Sequence, residues 1–194
     1  MDGRLRGLLC AVAGAGPALL CAARPRGMLR DVLTFRWFAA PVPDSLPVSQ
    51  VYGWCFAECG RVLLRDDAGK IGMPGGKPEP GETREETLHR EAMEECQIML
   101  DSPVYLGYQE VTPSDGARPY AQMRYAVRIA SFLPRAVDPD KGRMYRRLLT
   151  PVHRAPARLD WGVPNLLQAA AAALVAEVQL GLDPDASGVD GYRD

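Results

Sequence analysis

Residues 75–98 read GGKPEPGETREETLHREAMEECQI, and they decide the fold because they join a glycine-rich turn to a densely acidic segment. Six glutamates fall within fourteen residues, at positions 82, 85, 86, 91, 94 and 95. Carboxylates crowded in this way repel one another, and like charges at four-residue spacing destabilise an exposed helix. A hard divalent cation, which prefers oxygen ligands, would compensate this charge. The stretch is therefore a candidate metal site on its chemistry alone.

The acidic part of the stretch is predicted to be a helix with one packing face and one carboxylate face. Thr83 followed three residues later by Glu86 forms a capping box, so the helix should begin near Arg84. At 100° per residue, one apolar stripe can pack onto a core and consists of Leu88, Ala92 and Cys96. The neighbouring stripe carries the carboxylates of Glu91, Glu94 and Glu95.

The residues before the helix are predicted to form a rigid loop. Gly75 and Gly76 permit a sharp turn, and glycines let backbone carbonyls approach an ion closely. Pro78 and Pro80 exclude a helix or a central strand before Thr83. The loop therefore delivers the chain to the helix start over a defined length.

The whole segment resembles the Nudix box, G-x5-E-x7-R-E-U-x-E-E-x-G-U, in which U is a bulky aliphatic residue. Seven positions agree in register, namely Gly76, Glu82, Arg90, Glu91, Glu94, Glu95 and Ile98. Two positions depart from the pattern. Ala92 stands where a larger aliphatic residue is usual, and Gln97 stands where the family has a glycine that ends the helix in a left-handed conformation. A residue other than glycine there costs roughly 1–2 kcal/mol, or the helix ends in another way.

The resemblance implies a fold and a set of functional residues. The fold would be of the α/β class, an α/β/α sandwich with a mixed β-sheet, a catalytic loop-helix and a C-terminal helix. The ligands of Mg2+ or Mn2+ would be Gly76 (through its carbonyl), Glu91, Glu94 and Glu95. These glutamates would act in catalysis with Arg90 and Glu82, which would hold the loop and the helix together.

The resemblance also implies a reaction, hydrolysis of a nucleoside diphosphate linked to another group by a Mg2+-dependent pyrophosphohydrolase. The metal would neutralise the diphosphate, lower the pKa of a bound water and stabilise the leaving oxygen. Nucleoside triphosphates, nucleotide sugars, ADP-ribose and dinucleoside polyphosphates remain open as substrates. Two alternative functions are a catalytically inactive nucleotide-binding sensor on the same fold and an interaction scaffold. The three intact ligand glutamates favour the enzyme.

Basic residues near and beyond the box are candidates for holding substrate phosphate. Lys77 follows the glycine pair and could reach a phosphate oxygen. Arg143 and Arg146 belong to a basic cluster, and arginine pairs with phosphate in bidentate fashion. A solvated strand face would explain the two arginines equally well.

Other side chains outside the box give weaker predictions. An extra metal-binding or general-base carboxylate could come from Glu110, Asp115, Asp138 or Asp140. Asp115 lies in a turn-rich segment, so a turn role is the preferred interpretation. Tyr52, Trp54 and Phe56 alternate along a predicted strand, and core packing is favoured over stacking on a base.

Composition limits the possible classes of partner. The net charge of −1 gives no overall basic field of the kind that nucleic-acid binding uses, so neither nucleic acid nor membrane is expected as a partner. A small-molecule nucleotide is the expected ligand, and a homodimer is compatible with the sequence. Five cysteines without a CxxC pair favour reduced thiols in the cytoplasm.

The order of predicted elements gives one domain with two extensions. Strands are predicted at residues 51–56, 61–64, 71–73, 104–111, 122–132 and 143–149, and a C-terminal helix at residues 165–180. The Nudix domain is predicted over residues 46–182. A disordered tail at residues 183–194 would follow it.

Residues 1–45 are predicted to be an N-terminal extension that is partly disordered or results from a wrongly assigned translation start. Residues 8–23 are apolar and follow Arg4 and Arg6, as in a signal peptide. Three interpretations stay open: an export signal, a native extension, and translation that begins at Met28. The need of such an enzyme for magnesium favours the cytoplasm over export.

Overall fold

A mixed β-sheet with helices on both faces forms the described part of the protein, which in this computed structural model comprises residues 33–159, 161–185 and 188–194. The strands are β1 Leu33–Phe38, β2 Val48–Phe56, β3 Val62–Asp67, β4 Lys70–Gly72, β5 Gly75–Gly76, β6 Ile98–Leu100, β7 Val104–Pro113, β8 Tyr120–Phe132, β9 Arg146–Thr150 and β10 Gly191–Arg193. The helices are α1 Arg84–Cys96, α2 Ala155–Leu159 and α3 Val163–Val178. None of these helices is long and apolar enough to cross a membrane.

The sheet has the strand order β1-β7-β8-β2-β3-β9-β10, and β4, β5 and β6 add to β3, β2 and β8. The central pair, β2 and β8, runs parallel, whereas the other pairs run antiparallel. Parallel neighbours need a long crossover connection, and here the connection contains α1. The mixed sheet agrees with the prediction.

Two hydrophobic clusters lie on opposite faces of the sheet. Successive side chains of a strand point to opposite faces, so Trp54 and Phe56 on β2 pack with Ala172 of α3, while Cys55 packs with Leu88 of α1. The stripe predicted for α1 is completely buried, which confirms it. The packing of one helix against each face confirms the predicted α/β/α sandwich.

Helix α1 begins where the capping box predicts. The backbone N–H of Glu86 donates to Thr83 Oγ1 at 3.2 Å, and the N–H of Thr83 donates to Glu86 Oε2 at 2.7 Å. Each side chain thus satisfies a backbone donor that the first turn leaves without a helical partner. Arg84 is the first helical residue, as expected.

Gln97 ends the helix in the conformation that the glycine of the Nudix pattern would adopt. Its φ and ψ are 47° and 51°, and its backbone N–H donates to the carbonyls of Ala92 and Met93. The side chain helps, because Gln97 Nε2 donates to the Glu94 carbonyl at 2.9 Å. The helix therefore keeps its expected C-terminus in spite of the sequence departure.

Both predicted extensions contain a strand of the sheet. β1 lies within residues 1–45 and pairs with β7 along its whole length. β10 lies within the predicted disordered tail and pairs with β9, so that prediction is corrected for Gly191–Arg193. Each strand covers a neighbour that would otherwise expose unpaired backbone groups at the sheet edge. The signal-like segment and Met28 lie outside the described residues.

Candidate active site

A cleft of about 350 Å³ opens beside the glycine turn. Strands β2, β3 and β5, helix α1 and the loop before β9 contribute to it. Its lining residues are Gln50, Tyr52, Arg65, Gly75, Gly76, Lys77, Glu91, Glu95, Asp140 and Lys141. We call this space the carboxylate cleft.

The two glycines of β5 lie directly against the carboxylates of α1. The N–H of Gly75 donates to Glu95 Oε2 at 3.2 Å. A Cβ at Gly76 would lie 2.2 Å from Glu91 Oε1, so no larger residue fits there without displacing that carboxylate. Burial, followed by the neighbouring charge of Glu95, raises the pKa of Glu91. The glycine turn and α1 are therefore in direct contact at Glu91 and Glu95.

Arg90 ties the loop to the helix. Its Nε donates to Glu82 Oε1 at 2.7 Å, and its Nη2 donates to the carbonyl of Lys77 at 3.0 Å. Its Nη1 donates to Glu94 Oε2 at 2.9 Å and to Glu91 Oε1 at 3.1 Å. The hydrogen bonds from Arg90 are the main reason that the pKa of Glu82 falls to about 2. One guanidinium thus joins the loop acid to two acids of the helix.

Glu95 has only 1% of its side chain exposed, and it forms ion pairs with two cations from distant parts of the chain. Lys141 Nζ lies 2.8 Å from Glu95 Oε1, and Arg65 Nε lies 3.3 Å from the same oxygen. Burial opposes the charge of Lys141, but the hydrogen bond to Glu95 raises its pKa overall. Neither cation was predicted from the sequence.

A turn presents Lys141 to the cleft. Asp138 Oδ1 accepts the backbone N–H groups of Asp140 at 2.8 Å and Lys141 at 3.0 Å. Asp138 Oδ2 also lies 3.5 Å from Lys141 Nζ. The turn-forming sequence Asp-Pro-Asp-Lys-Gly at residues 138–142 was the available signal, although it does not say which way the lysine points.

The predicted metal ligands are only partly brought together. Glu91 and Glu95 line the cleft, whereas Glu94 is hydrogen-bonded to Arg90. Among the described residues, no three acidic, histidine or cysteine side chains are grouped as a metal site. Arg90 binds a carboxylate oxygen of Glu94, and Lys141 binds one of Glu95. These oxygens therefore do not converge on a single point.

The residues predicted to bind substrate phosphate lie in different parts of the structure. Lys77 lines the carboxylate cleft. Arg143 Nη1 instead lies 2.6 Å from Asp67 Oδ2, and the Arg146 guanidinium stacks 3.4 Å above the ring of Tyr192. Neither arginine lines the cleft, so the structure favours a structural role for both.

The acids considered outside the box also differ in position. Asp140 lines the cleft, and Asp138 holds the turn described above. Asp115 accepts the backbone N–H of Ala117 at 2.9 Å, which agrees with the preferred turn role. Glu110 lies on β7 opposite Arg36 of β1.

A second cavity, of about 290 Å³, adjoins the carboxylate cleft at Tyr52, which lines both. Its lining residues are Leu33, Phe35, Tyr52, Gln109, Gln122 and Trp161. The rings of Tyr52 and Trp161 meet edge to face, with centroids 6.0 Å apart. We call this space the amide cavity because two glutamine side chains form its polar wall.

The profile of the NUDIX domain matches residues 49–168, more than half of the chain. The chain belongs to the Nudix family. The match contains the glycine turn, α1 and Lys141, and it ends within α3. β1 and β10 lie outside the family profile, although both pair with strands of the Nudix domain.

The chain is similar to several solved structures. A Nudix hydrolase from Nitrosomonas europaea is 20% identical, with a TM-score of 0.53 over 67% of this chain and 90% of that chain. The pyrophosphohydrolase BsRppH of Bacillus subtilis is 24% identical, with a TM-score of 0.48 over 56% of this chain and 70% of that chain. No curated protein matches the sequence significantly. The Nitrosomonas structure thus supports the Nudix sandwich, and membership of the family supports a hydrolase.

Proposed function

We propose that this Nudix protein is a metal-dependent pyrophosphohydrolase that cleaves a nucleoside diphosphate linked to another group. The observation that carries the proposal is the meeting of opposite charges in one cleft. Glu91 and Glu95 lie against the glycine turn, and Lys77 and Lys141 line the same space. Carboxylates suit a hard divalent cation, and lysine ammonium groups suit phosphate oxygens.

The residues fit Mg2+ or Mn2+ by their donor chemistry. The residues that would hold the ion are Gly76, Glu91, Glu94 and Glu95. All of their donors are hard oxygen atoms, and the missing side chain at Gly76 leaves the backbone in contact with the Glu91 carboxylate. When bound, such an ion lowers the pKa of an attacking water and neutralises diphosphate charge.

The protein's own side chains have separate tasks in this proposal. Arg90, held by Glu82, fixes the orientation of Glu91 and Glu94 relative to the loop. Lys77 and Lys141 bind the oxygens of the diphosphate from two sides of the cleft. Tyr52 lies where the carboxylate cleft meets the amide cavity, so the nucleoside would extend past it.

The decisive experiment is hydrolysis of a diphosphate panel with Mg2+ or Mn2+, with the products identified by chromatography. The panel contains nucleoside triphosphates, nucleotide sugars, ADP-ribose and dinucleoside polyphosphates. Glu94→Gln and Glu95→Gln should lower kcat by about a hundredfold or more, because each removes a charged metal ligand. Glu177→Gln is the matched control, since Glu177 is exposed on α3.

The outcomes separate the enzyme from the nucleotide-binding sensor. Release of a nucleoside monophosphate from at least one substrate, lost in the two glutamine variants and kept in the control, supports the enzyme. Nucleotide binding without product from any member of the panel would overturn it in favour of the sensor.

We also propose bounds for the catalytic domain and a cellular compartment for the enzyme. We place the Nudix domain at residues 46–182, to which β1 and β10 add strands. We place the enzyme in the cytoplasm, where magnesium and nucleotides are both abundant. Fractionation of cells that produce the full chain, followed by detection of the protein, tests the second statement.

A further inference from the structure

Arg147, the second residue of β9, is a buried cation outside the carboxylate cleft. It is 1% exposed, and no carboxylate of the described residues lies within ion-pair distance of its guanidinium. A buried charge is costly unless hydrogen bonds compensate it, and arginine stays charged in proteins. The groups that accept its hydrogen bonds therefore show what this side chain holds in place.

Three backbone carbonyls accept these hydrogen bonds, and each belongs to a different segment of the chain. Arg147 Nη1 donates to the carbonyl of Leu133 at 2.9 Å and to that of Cys96 at 3.4 Å. Arg147 Nε donates to the carbonyl of Arg193 at 3.1 Å. Cys96 is the last residue of α1, Leu133 directly follows β8, and Arg193 ends β10. One guanidinium therefore joins the helix of the candidate active site to two segments that are distant in sequence.

The hydrogen bond to Cys96 brings a positive charge to the C-terminal end of α1. The last turn of this helix contains no basic side chain, although the carbonyls at a helix C-terminus attract cations. The backbone adds a second link at this end, because the N–H of Leu133 donates to the carbonyl of Gln97 at 2.9 Å. Glu95 directly precedes Cys96, so these bonds fix the end of the helix that carries a proposed metal ligand.

The hydrogen bond to Leu133 reaches the segment that presents Lys141. We call residues 133–145, between β8 and β9, the lysine loop. Its two ends are tied together, because Arg135 Nε donates to the carbonyl of Tyr145 at 3.2 Å. The turn within the loop is closed by the hydrogen bonds to Asp138 described above. The loop is therefore a closed unit, and a shift of its first residue would move Lys141.

We propose that Arg147 is a positioning residue that keeps the lysine loop in register with the end of α1, and so holds Lys141 opposite Glu95. This inference rests on the proposed function, in which Lys141 binds diphosphate oxygens and Glu95 holds the metal. The distance that Arg147 maintains is the 2.8 Å between Lys141 Nζ and Glu95 Oε1. Because β10 accepts the third hydrogen bond, the placement of the lysine loop depends on that strand as well.

A double-mutant cycle tests whether Arg147 acts through Lys141. Methylenediphosphonate, whose P–C–P link is not hydrolysed, is titrated into the full-length protein with Mg2+ by calorimetry. Lys141→Met removes the ammonium group, Arg147→Met removes all three hydrogen bonds, and each should weaken binding about tenfold. The double variant should also bind about tenfold more weakly than wild type, because the effects of coupled residues are not additive. A loss of about a hundredfold in the double variant, or unchanged binding by Arg147→Met, overturns the inference.

Two further substitutions separate positioning from charge and from folding. Arg147→Lys keeps the charge but lacks the planar fork that reaches several carbonyls, so it should weaken binding by only about threefold. It carries the same cycle with Lys141→Met if Arg147→Met does not fold. Arg154→Met is the matched control, since Arg154 is exposed in the turn before α2, and it should bind as wild type does. An equal loss in Arg154→Met and Arg147→Met would contradict positioning, because net charge alone would then explain it.

Hydrogen exchange followed by NMR tests the positioning without any ligand. In Arg147→Met, or in Arg147→Lys if the former does not fold, the amides of Leu133 and of residues 191–193 should exchange at least tenfold faster than in wild type, while β2 keeps its protection. Faster exchange in residues 191–193 alone overturns the inference, since the lysine loop would then be held without Arg147.

The outcomes of the two proposals are distinguishable. If the exchange of Leu133 rises as expected but wild type binds no methylenediphosphonate, the proposed function is wrong and positioning by Arg147 stands. If wild type hydrolyses a diphosphate and the exchange of Leu133 is unchanged in the variant, only the role of Arg147 is wrong.

Discussion

At the scale of single residues, Gly76 lies directly against a carboxylate of the candidate active site. A methyl group there would lie 2.2 Å from Glu91 Oε1. We predict that Gly76→Ala displaces the carboxylate and lowers kcat about a hundredfold, since a misplacement of about 1 Å has that effect. Steady-state kinetics on a substrate from the panel measures this.

Gly69 gives the contrast to Gly76. A Cβ at Gly69 would meet nothing within 4 Å, although its φ of 95° strains any other residue. Gly69→Ala should therefore lower stability by about 1 kcal/mol and leave kcat unchanged. A similar loss of activity in both variants would show that Gly76 matters for folding alone.

Gln97 leads to a prediction about stability. Its left-handed backbone suits glycine, so Gln97→Gly should be more stable than Gln97→Ala by about 1 kcal/mol. Both variants lose the side-chain hydrogen bond to Glu94, which makes the comparison independent of it. Urea denaturation measures the difference. At Gln179, where α3 ends in a right-handed conformation, glycine should bring no such gain over alanine.

The residues of the site differ in how far the sequence could predict them. The capping box follows from spacing within one local segment, and the resemblance to the Nudix box implies that Gly76 and Glu91 belong to one site. Lys141, 46 residues from Glu95, and Arg65 have no periodicity or motif that connects them to the helix. The convergence of such residues is set by the sheet, which brings distant segments together.

At the scale of elements, strand β10 depends on two acids with lowered pKa values. The hydrogen bond from the Tyr192 hydroxyl, 2.6 Å from Asp66, is the main cause of the lowered pKa of Asp66. The Thr150 hydroxyl lowers the pKa of Asp190 in the same way. A lowered pKa in the folded state stabilises the fold above the unfolded value of roughly 3.9, and this stabilisation is lost as pH falls through the folded pKa.

We therefore predict that β10 detaches in acid before the central sheet unfolds. Hydrogen exchange should show loss of protection at residues 191–193 as the pH falls below about 4, while β2 and β8 stay protected. Tyr192→Phe removes the hydrogen bond to Asp66 and should move this loss to a higher pH. A release of β10 at the same pH in wild type and variant would contradict this account.

Long elements were predictable, and short ones were not. β2, β7, β8, α1 and α3 have enough residues for alternation or helical periodicity to be visible in the sequence. β5 consists of two glycines, and β10 has three residues, so each is a strand only because of its partner. Pairing across the sheet, which a single segment does not encode, defined both of them.

At the scale of the whole molecule, β1 extends the Nudix domain beyond its predicted start at residue 46. A chain that begins at residue 46 lacks β1, so β7 becomes an unpaired edge. We predict that this shorter chain is less stable by about 2 kcal/mol or more, because several strand hydrogen bonds of roughly 1 kcal/mol each are lost. Urea denaturation and light scattering measure the loss of stability and the resulting association.

A chain that begins at residue 31 is the control for this deletion, since residues 31–194 form one compact unit by their contacts. It should keep the stability of the full chain. Equal stability of the two shortened chains would show that β1 contributes little to the sheet.

The parallel pairing of β2 with β8 has a consequence for the order of events during synthesis. Gln50 and Gln122, side by side in the sheet, are separated by 72 residues of chain. Contacts between such distant segments form slowly, because a long loop must close first. Helix α1, whose start is encoded locally, is synthesised before β8, so its apolar stripe is made before the strand pair that covers it. The helix that carries the carboxylates is therefore among the first elements able to form and among the last to be fixed in place.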